Sequence, residues 1–346
     1  MTTAKRLLKK PESFTLIIVL LLFIVIEIQS GQFFSANNIT DLLSSYTVPG
    51  IMALGSLTVF ISGGLDVSFP ALCSLGVYIT LRLFSGYGGT PLIPFIVAAV
   101  ICGLLGMFNG VIIARFKFAP LIVTLATESL FWAILHGILL AKEISMLPPC
   151  FAGLRESVLW TAVNSENGLR STLPAVFLIF VGAIILFSFV LRRTIYGRKL
   201  FAVGGNSASA ENIGINVFWI RVSAYVISGV TAGVALMART MIIGNLHPNA
   251  VYGLEYNVIA MVVLGGCALS GGRGSVFGTV LGVILVQTMN VSLTLMNVPT
   301  YWQKFCTGAI MLIGISYSAY QTLRSKRQLS GIMLDTDRDQ TAGEEG

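Results

Sequence analysis

An aspartate lies beside a pair of glycines in a strongly apolar part of the chain, where an ionisable group is costly and is usually retained for a function. The segment is SGGLDVS, in which Gly63 and Gly64 interrupt a helix and Asp66 follows. Backbone amides released at such a break, beside a carboxylate, suit either a helix cap or the polar lining of a solute route. The sequence favours capping for Asp66 and keeps direct contact with a solute as the alternative.

Further polar residues lie at helical positions in apolar stretches. Glu128 is in the middle of LIVTLATESLFWAILHG, and His136 follows two turns later on about the same face. This spacing would suit a proton relay, but an interhelical hydrogen bond is the favoured interpretation. Asn109, in a glycine-rich stretch, can hydrogen-bond across a helix pair, and Glu255 and Asn257 begin a later stretch at its predicted outer mouth.

The sequence has none of the motifs that mark catalytic or metal sites. It contains no GxxxxGK[ST] phosphate loop, no GxSxG, no HExxH and no pair of catalytic carboxylates. The glycine-rich run at 265–274 fits neither nucleotide fingerprint and is interpreted as a tight turn between packed helices. The five cysteines form no CxxC pair and the two histidines are far apart. We therefore predict no enzyme activity, no cofactor and no metal.

The composition is typical of a membrane protein. Of the 346 residues 55% are hydrophobic and only 11% are charged, and the mean hydropathy is +0.84. Soluble domains usually carry about 25% charged residues. The net charge of +7 comes from short basic clusters at the ends of apolar stretches. Such clusters indicate membrane orientation, so lipid is the expected surrounding and nucleic acid is not expected as a partner.

The apolar stretches predict an all-α, polytopic membrane protein with about ten transmembrane helices, because a bilayer core requires roughly 20 apolar residues per helix. Glycine-rich breaks at 62–64 and 271–274 leave the count open to nine or eleven. The stretches lie near 14–30, 44–61, 69–84, 92–114, 119–140, 172–191, 217–240, 255–270, 275–296 and 301–320.

The basic residues also predict the orientation. With the N-terminus in the cytoplasm, 16 of the 22 Lys and Arg residues fall inside, as the positive-inside rule predicts for an even number of spans. Both termini are then cytoplasmic, with residues 1–13 as a short N-terminal segment, 14–323 as the transmembrane domain and 324–346 as a polar tail. The first span is interpreted as uncleaved and not as a signal peptide, since it is long and no A-x-A-like site follows it.

Two hydrophilic segments separate the spans, 142–171 outside and 192–216 inside. In the inner segment, glycines flank a short predicted helix at 207–213. A short helix between two spans indicates a docking element for a partner, and an ordinary solvated loop is the alternative.

The inner segment resembles a known motif. GRKLFAVGGNSASAENIGINV, starting at Gly197, is similar to the coupling loop in the permease subunits of ribose/galactose-type ABC sugar importers, where GR…A.GGN..AA…GI recurs. ISGGLDVS at 61–68, FAPLIVTLAT at 118–127 and GLEYNVIAMVVLGGCALSGGRGSVFGT at 253–279 resemble three further motifs of that family in the same order. The resemblance covers about residues 35–320.

The resemblance implies the all-helical permease fold of the vitamin-B12-importer type (type II importers). Such permeases pair as homo- or heterodimers, with ATPase subunits inside and a periplasmic solute-binding protein outside. The missing phosphate loop agrees, since the nucleotide then belongs to the ATPase partner. The residues implied to form the coupling element in the ATPase cleft are Gly197, Arg198, Gly204, Gly205, Asn206, Ala210 and Gly214.

The chain departs from the family pattern near the presumed solute route. Phe69 and Pro70 intervene after GGLDVS, Glu128 replaces an apolar residue, and Asn257 stands where an acidic residue is usual. These departures are compatible with one diverged half of a heterodimeric permease. The candidate residues of the translocation pathway are Asp66, Phe69, Asn109, Glu128, Glu255 and Asn257.

The predicted function is that of a permease subunit in a bacterial inner membrane, importing a small polar solute with energy from a separate ATPase. A monosaccharide or related polyol is the predicted solute, and branched-chain amino acids or nucleosides are the alternative. An ion-coupled secondary carrier that uses Asp66 and Glu128 is a further alternative, although such a carrier would have no use for a coupling loop.

Overall fold

The structure, a computed structural model, describes residues 11–163 and 168–296 together with isolated positions between 298 and 316. The predicted tail at 324–346 and most of the predicted N-terminal segment lie outside the described residues. The same holds for all but a few positions of the tenth predicted span, 301–320.

Helices make up most of the described chain. Each of the nine apolar stretches predicted between residues 14 and 296 contains one of them. The α-helices are α1 Pro11–Ser30, α2 Ala36–Ile61, α3 Phe69–Leu83, α4 Leu92–Phe116, α5 Pro120–Ala133, α6 Ala152–Glu156, α7 Phe177–Arg193, α8 Ile195–Gly205, α9 Ser207–Asn212, α10 Val217–Ile243, α11 Leu254–Leu264 and α12 Val276–Leu295. A π-helical turn, Ile134–Ile138, extends α5, and a 3₁₀ turn, Pro149–Phe151, precedes α6.

Five of the described helices are long and apolar enough to cross a membrane: α2, α4, α5 with its π turn, α10 and α12. The pair α7–α8, bent by 72°, adds a sixth if it counts as one span. The apolar parts of α1, α3 and α11 are shorter. The described residues therefore form a polytopic helical bundle with five or six spans by this criterion, against about ten predicted for the whole chain.

Side chains at the helix starts explain several boundaries. Thr194 begins α8 by accepting the Gly197 amide at 3.2 Å, and Asn206 begins α9 by accepting the Ser209 amide at 3.0 Å. Such caps satisfy amides that have no partner within the helix. The predicted short helix at 207–213 is thus present as α9. The stretch before it, for which no helix was predicted, forms the helix α8.

A β-hairpin corrects the prediction of a purely α-helical chain. Strand β1, Val158–Val163, pairs antiparallel with β2, Arg170–Pro174, and Thr161 lies opposite Thr172. The predicted span at 172–191 therefore begins too early, because its first residues belong to β2 and the helix starts only at Phe177. Hydropathy alone does not separate an apolar strand end from the helix that follows it.

Two antiparallel helices, α4 and α10, pack backbone to backbone in the interior. Gly106 and Gly110 on α4 lie so close to α10 that an added Cβ would contact the backbone of Tyr225 and Val222. On α10, Gly229 approaches the backbone of Cys102 equally closely. Small residues allow this close approach, which increases the dispersion contacts between the helices. These contacts matter in a lipid bilayer because the hydrophobic effect does not drive helices together there.

The bundle has two distinct ends. The hairpin end holds β1–β2 and the loops 139–157 and 244–253, which are joined by the backbone pairing of Ile144 with Leu246. The elbow end holds the break at 62–68, the helices α8 and α9, and the break at 265–275.

Candidate functional site

A buried hydrogen-bond network surrounds Asp66 at the break between α2 and α3. Its Oδ1 atom accepts the Ser68 amide at 2.9 Å and the Ser68 hydroxyl at 2.7 Å, and its Oδ2 atom accepts the Ser228 hydroxyl of α10 at 3.1 Å. Asn109 of α4 donates its side-chain amide to Ser68 Oγ at 2.7 Å. The Asp66 network thus joins the start of α3 to α4 and α10.

The network favours the capping interpretation of Asp66. The carboxylate is 1% exposed and three donors satisfy it, so it contributes chiefly as an interhelical anchor. Two predicted pathway residues, Asp66 and Asn109, are brought together here. The two linking residues, Ser68 and Ser228, were not predicted from the sequence. Ser68 could have been found, because it lies two positions after Asp66 in the same motif. Nothing in the sequence around Ser228 marks it as a partner of Asp66.

Phe69 does not line an open space. It is the first residue of α3 and is 1% exposed, within the continuous hydrophobic core. The residue that departs from the family pattern is therefore an internal packing residue in this chain.

A second group of polar residues lies on α5 and faces the loop before α11. Glu128, Trp132 and His136 follow one another at intervals of four, so they share one face of the helix. The Trp132 ring stacks on His136 with centroids 5.7 Å apart and meets Tyr252 at 5.4 Å in an edge contact. His136 Nε2 is 2.8 Å from Asn249 Oδ1.

Glu255, at the start of α11, belongs to the same group. It is 4% exposed, its Oε2 atom has no hydrogen-bond partner, and its carboxylate is close enough to Glu128 for the two to interact electrostatically. The Trp132 indole N–H makes no hydrogen bond of good geometry, although the Glu128 carboxylate is close enough to interact with it. We call these six residues the tryptophan cluster: Glu128, Trp132, His136, Asn249, Tyr252 and Glu255.

The cluster gives no support to a proton relay from Glu128 to His136. The Trp132 side chain occupies the intermediate helical position, and His136 pairs with Asn249 of the facing loop. Asn257, the remaining predicted pathway residue, is half-buried on α11. Sequence reasoning identified both carboxylates, but their proximity depends on the packing of segments more than 120 residues apart.

A cavity of about 380 Å³ opens at the hairpin end between α2 and α10. This volume is in the range of small-molecule sites, roughly 300–1,000 Å³. Its polar lining comes from Asp41, Ser44 and Ser45 of α2 and from Arg239 of α10, and the loop residues Ala250 and Val251 close one side.

At the elbow end three backbone turns are in direct contact. The Gly272 amide donates to the Ile61 carbonyl at 2.9 Å. An added Cβ on Gly204 of α8 would contact that same carbonyl, and one on Gly271 would approach the Gly63 Cα at 2.6 Å. We call this contact the glycine junction. It places the end of α8 against both helix breaks, at 62–68 and at 265–275.

The predicted coupling residues divide into two groups at this end. Four are exposed: Arg198, Gly205, Asn206 and Gly214. Three face the bundle, with Gly197 and Ala210 buried and Gly204 half-buried. The α8–α9 segment is therefore packed on one side and exposed on the other, whereas an ordinary solvated loop would not need the packed side.

No group of three or more His, Cys, Asp or Glu side chains able to hold a metal ion occurs among the residues that the structure describes. The free cysteines Cys73, Cys102 and Cys267 are buried, and Cys150 is half-buried.

The chain matches a family of transport proteins over most of its length. A family profile described as "Branched-chain amino acid transport system / permease component" matches residues 38–315. The ribose import permease protein RbsC of Bacillus subtilis (strain 168) is 30% identical over 295 residues, which cover 85% of this chain and 88% of that protein.

Two further relatives have different names. The L-arabinose ABC transporter permease protein AraH of Azospirillum brasilense is 29% identical, over 87% of this chain and 86% of that protein. The xylose transport system permease protein XylH of Escherichia coli (strain K12) is also 29% identical, over 82% and 85%. No solved structure matches the chain. With a family match over residues 38–315 and an apolar helical bundle, the chain belongs to this family of membrane permease components of ABC importers.

Proposed function

We propose that this permease imports a monosaccharide across a bacterial inner membrane, driven by a separate ATPase and supplied by a periplasmic solute-binding protein. The observation that supports the proposal most directly is the similarity, over 82–87% of the chain, to permeases named for ribose, L-arabinose and xylose. The family description mentions branched-chain amino acids, but the three relatives compared favour a sugar.

In this proposal the elbow end faces the cytoplasm and receives the ATPase. The exposed residues of α8 and α9, Arg198 and Gly205 among them, would lie in the ATPase cleft. The glycine junction supports a mechanical role for this segment, because displacement of α8 presses directly on the breaks after α2 and after α11. Because packed interiors resist compression, a movement of α8 is passed through these backbone contacts to the two breaks almost undiminished.

The proposed solute route runs between the two breaks and the hairpin end, at the interface with a second permease, which is either a copy of this chain or a related one. The half-buried carboxylate of Glu128, in the middle of an apolar helix, supports this arrangement. An acid at that depth is costly against lipid and faces either a protein partner or a water-filled route. The ion-coupled alternative has less support, because donors from the protein satisfy Asp66 on both oxygens.

The test is association with the ATPase and ATP-driven uptake. The permease, its ATPase and its binding protein are purified together and reconstituted into vesicles. We expect Arg198→Glu and Gly205→Glu to reduce copurified ATPase and sugar uptake at least tenfold, because both place a carboxylate on the docking side. Lys142→Glu, the same type of charge change at the hairpin end, serves as the control and should retain both.

Two results would contradict the proposal. Normal uptake by both elbow-end variants would remove the docking assignment. Uptake driven by a proton or sodium gradient in vesicles without any ATPase would replace the importer with a secondary carrier.

A further inference from the structure

Two buried polar atoms in the tryptophan cluster have no hydrogen-bond partner. They are Oε2 of Glu255 and Nε1 of Trp132. An unpaired buried donor or acceptor costs about 1–3 kcal/mol, and more for a charged group. Native proteins therefore keep few of them, and each requires an explanation such as a ligand or water that completes the bonding.

Asp66 and Glu255 are both buried carboxylates, but they differ in their hydrogen bonding. Both carboxylates are more than nine-tenths buried, at 1% and 4% exposure. Protein donors satisfy both oxygens of Asp66, whereas Oε2 of Glu255 has none. Asp66 is thus a structural anchor, and Glu255 retains an acceptor for something outside the chain.

The surroundings of the unpaired atoms match the chemistry of a sugar. The carboxylates of Glu128 and Glu255 can accept hydroxyl hydrogens, and the Trp132 N–H can donate to a hydroxyl or ring oxygen. Tyr252 meets Trp132 in a T-shaped contact and is 69% exposed, so most of its side chain is available to the C–H face of a pyranose or furanose ring.

The position of the cluster on α5 supports contact with a solute. Only 28% of the residues in the apolar window of α5 are buried within this chain, and Leu125 and Ser129, on either side of Glu128, are exposed. Since a lipid-facing carboxylate is costly at that position, the Glu128 face of α5 borders a polar space. His136 and Asn249 hold this face against the loop before α11.

We propose that the tryptophan cluster is a sugar-binding subsite of the permease itself, in which Glu255 and Glu128 accept hydroxyl hydrogens, Trp132 donates its indole N–H, and Tyr252 covers one face of a neutral monosaccharide. This inference rests on the proposed function and adds to it a location for the solute. It assigns specificity within the membrane to this chain, beyond that of the binding protein.

The experiment uses the full transporter in vesicles with its ATPase and binding protein, and radiolabelled D-ribose, L-arabinose and D-xylose as probes. The variants are Glu255→Gln, Trp132→Phe and Tyr252→Ala; the last changes an exposed side chain and is not expected to disturb folding. Glu143→Gln, an exposed acid at the same end, and Trp219→Phe, an exposed indole in the first turn of α10, are the matched controls. Arg239→Gln tests the neighbouring cavity in parallel.

We expect Glu255→Gln to lower sugar transported per ATP hydrolysed by about tenfold or more, which corresponds to the loss of one hydrogen bond to a charged group. Trp132→Phe and Tyr252→Ala should lower it by about fivefold, because each removes a neutral contact. The basal rate of ATP hydrolysis should stay within twofold of wild type, because it reports assembly and not solute contact. Both control variants should transport as wild type does.

The outcomes separate the two proposals. If the wild-type transporter imports none of the three pentoses and no hexose offered in their place, the proposed function fails and the subsite fails with it. If the wild type imports one of these sugars and all three cluster variants transport it within twofold of the wild type, the function stands and the subsite is wrong. Loss of transport in Arg239→Gln alone would move the subsite to the cavity between α2 and α10 and would equally overturn the assignment.

Discussion

At the scale of single residues, buried polar groups in this chain have two different roles. Asp66 has both oxygens paired and joins α3 to α10 through Ser68 and Ser228, whereas Glu255 and Trp132 keep unpaired atoms beside α5. Asn109 donates to Ser68 but keeps its Oδ1 atom unpaired. The sequence identifies Asp66, Asn109 and Glu255 as polar groups in apolar stretches, but it singles out neither Ser68 nor Trp132. It does not separate the roles, because the decisive partner of Asp66 is Ser228, which is 162 positions away.

Asp66→Ala is expected to destabilise the permease by about 3 kcal/mol, since it leaves the Ser68 amide and hydroxyl and the Ser228 hydroxyl without their charged acceptor. The measurement is the thermal midpoint of the protein in detergent. Asp41→Ala is the control: this exposed carboxylate accepts one hydrogen bond, from Ser171 at 3.0 Å, so we expect less than about 1 kcal/mol. An unchanged midpoint for Asp66→Ala together with lost uptake would assign Asp66 to the solute and not to the fold.

At the scale of elements, apolar periodicity located nine helices but misjudged where some begin and end. The span near 172–191 includes the last residues of strand β2, and the segment predicted as one stretch at 255–270 holds a helix that stops at Leu264. An eleven-residue helix is about 16 Å long, roughly half of a bilayer core. Gly265 and Gly266 end it, and hydropathy averaged over a window does not detect such a stop.

The close approach of α4 and α10 predicts a sharp difference between two glycines. Gly106→Ala should destabilise the bundle by about 1–3 kcal/mol, because its Cβ would overlap the backbone of Tyr225 and force the helices apart. Gly182→Ala on α7 is the matched control, since nothing lies within 4 Å of its Cβ position, and it should be neutral or slightly stabilising.

The readout for this pair is again the thermal midpoint, combined with the yield of folded protein after insertion. Equal behaviour of the two variants would mean that α4 and α10 do not pack through Gly106.

At the scale of the whole molecule, the basic residues predict which end of the bundle faces which side of the membrane. The two ends that this prediction assigns to opposite sides are the hairpin end and the elbow end. Cys150 lies at the hairpin end, half-buried, while Cys73, Cys102 and Cys267 are buried. Partial burial raises the pKa of the Cys150 thiol, so less of it is thiolate at neutral pH than for a free cysteine.

In spheroplasts that carry the permease with Cys306→Ser, a membrane-impermeant maleimide should label Cys150 without permeabilisation. Thiolate is the reactive form, so the labelling rate should follow the deprotonation of Cys150. It should still rise with pH above the range in which a free cysteine is already fully deprotonated. In a second variant, Cys150 and Cys306 are both replaced by Ser, and Ser209→Cys places a thiol on exposed α9. This thiol should react only after permeabilisation. The reverse pattern of access would invert the proposed orientation.

The glycine junction has a consequence for how the chain tolerates change. Gly204, Gly271 and Gly272 touch one another and the turn at Gly63 through main-chain atoms alone, so the contact has no rotamers that could absorb a displacement. A side chain added to any one of these residues is opposed by backbone on the neighbouring turn. We therefore expect the three turns to vary together among related permeases or to stay fixed, while Gly205, adjacent in sequence but with open space around its Cβ position, is free to follow the surface of whichever ATPase it meets.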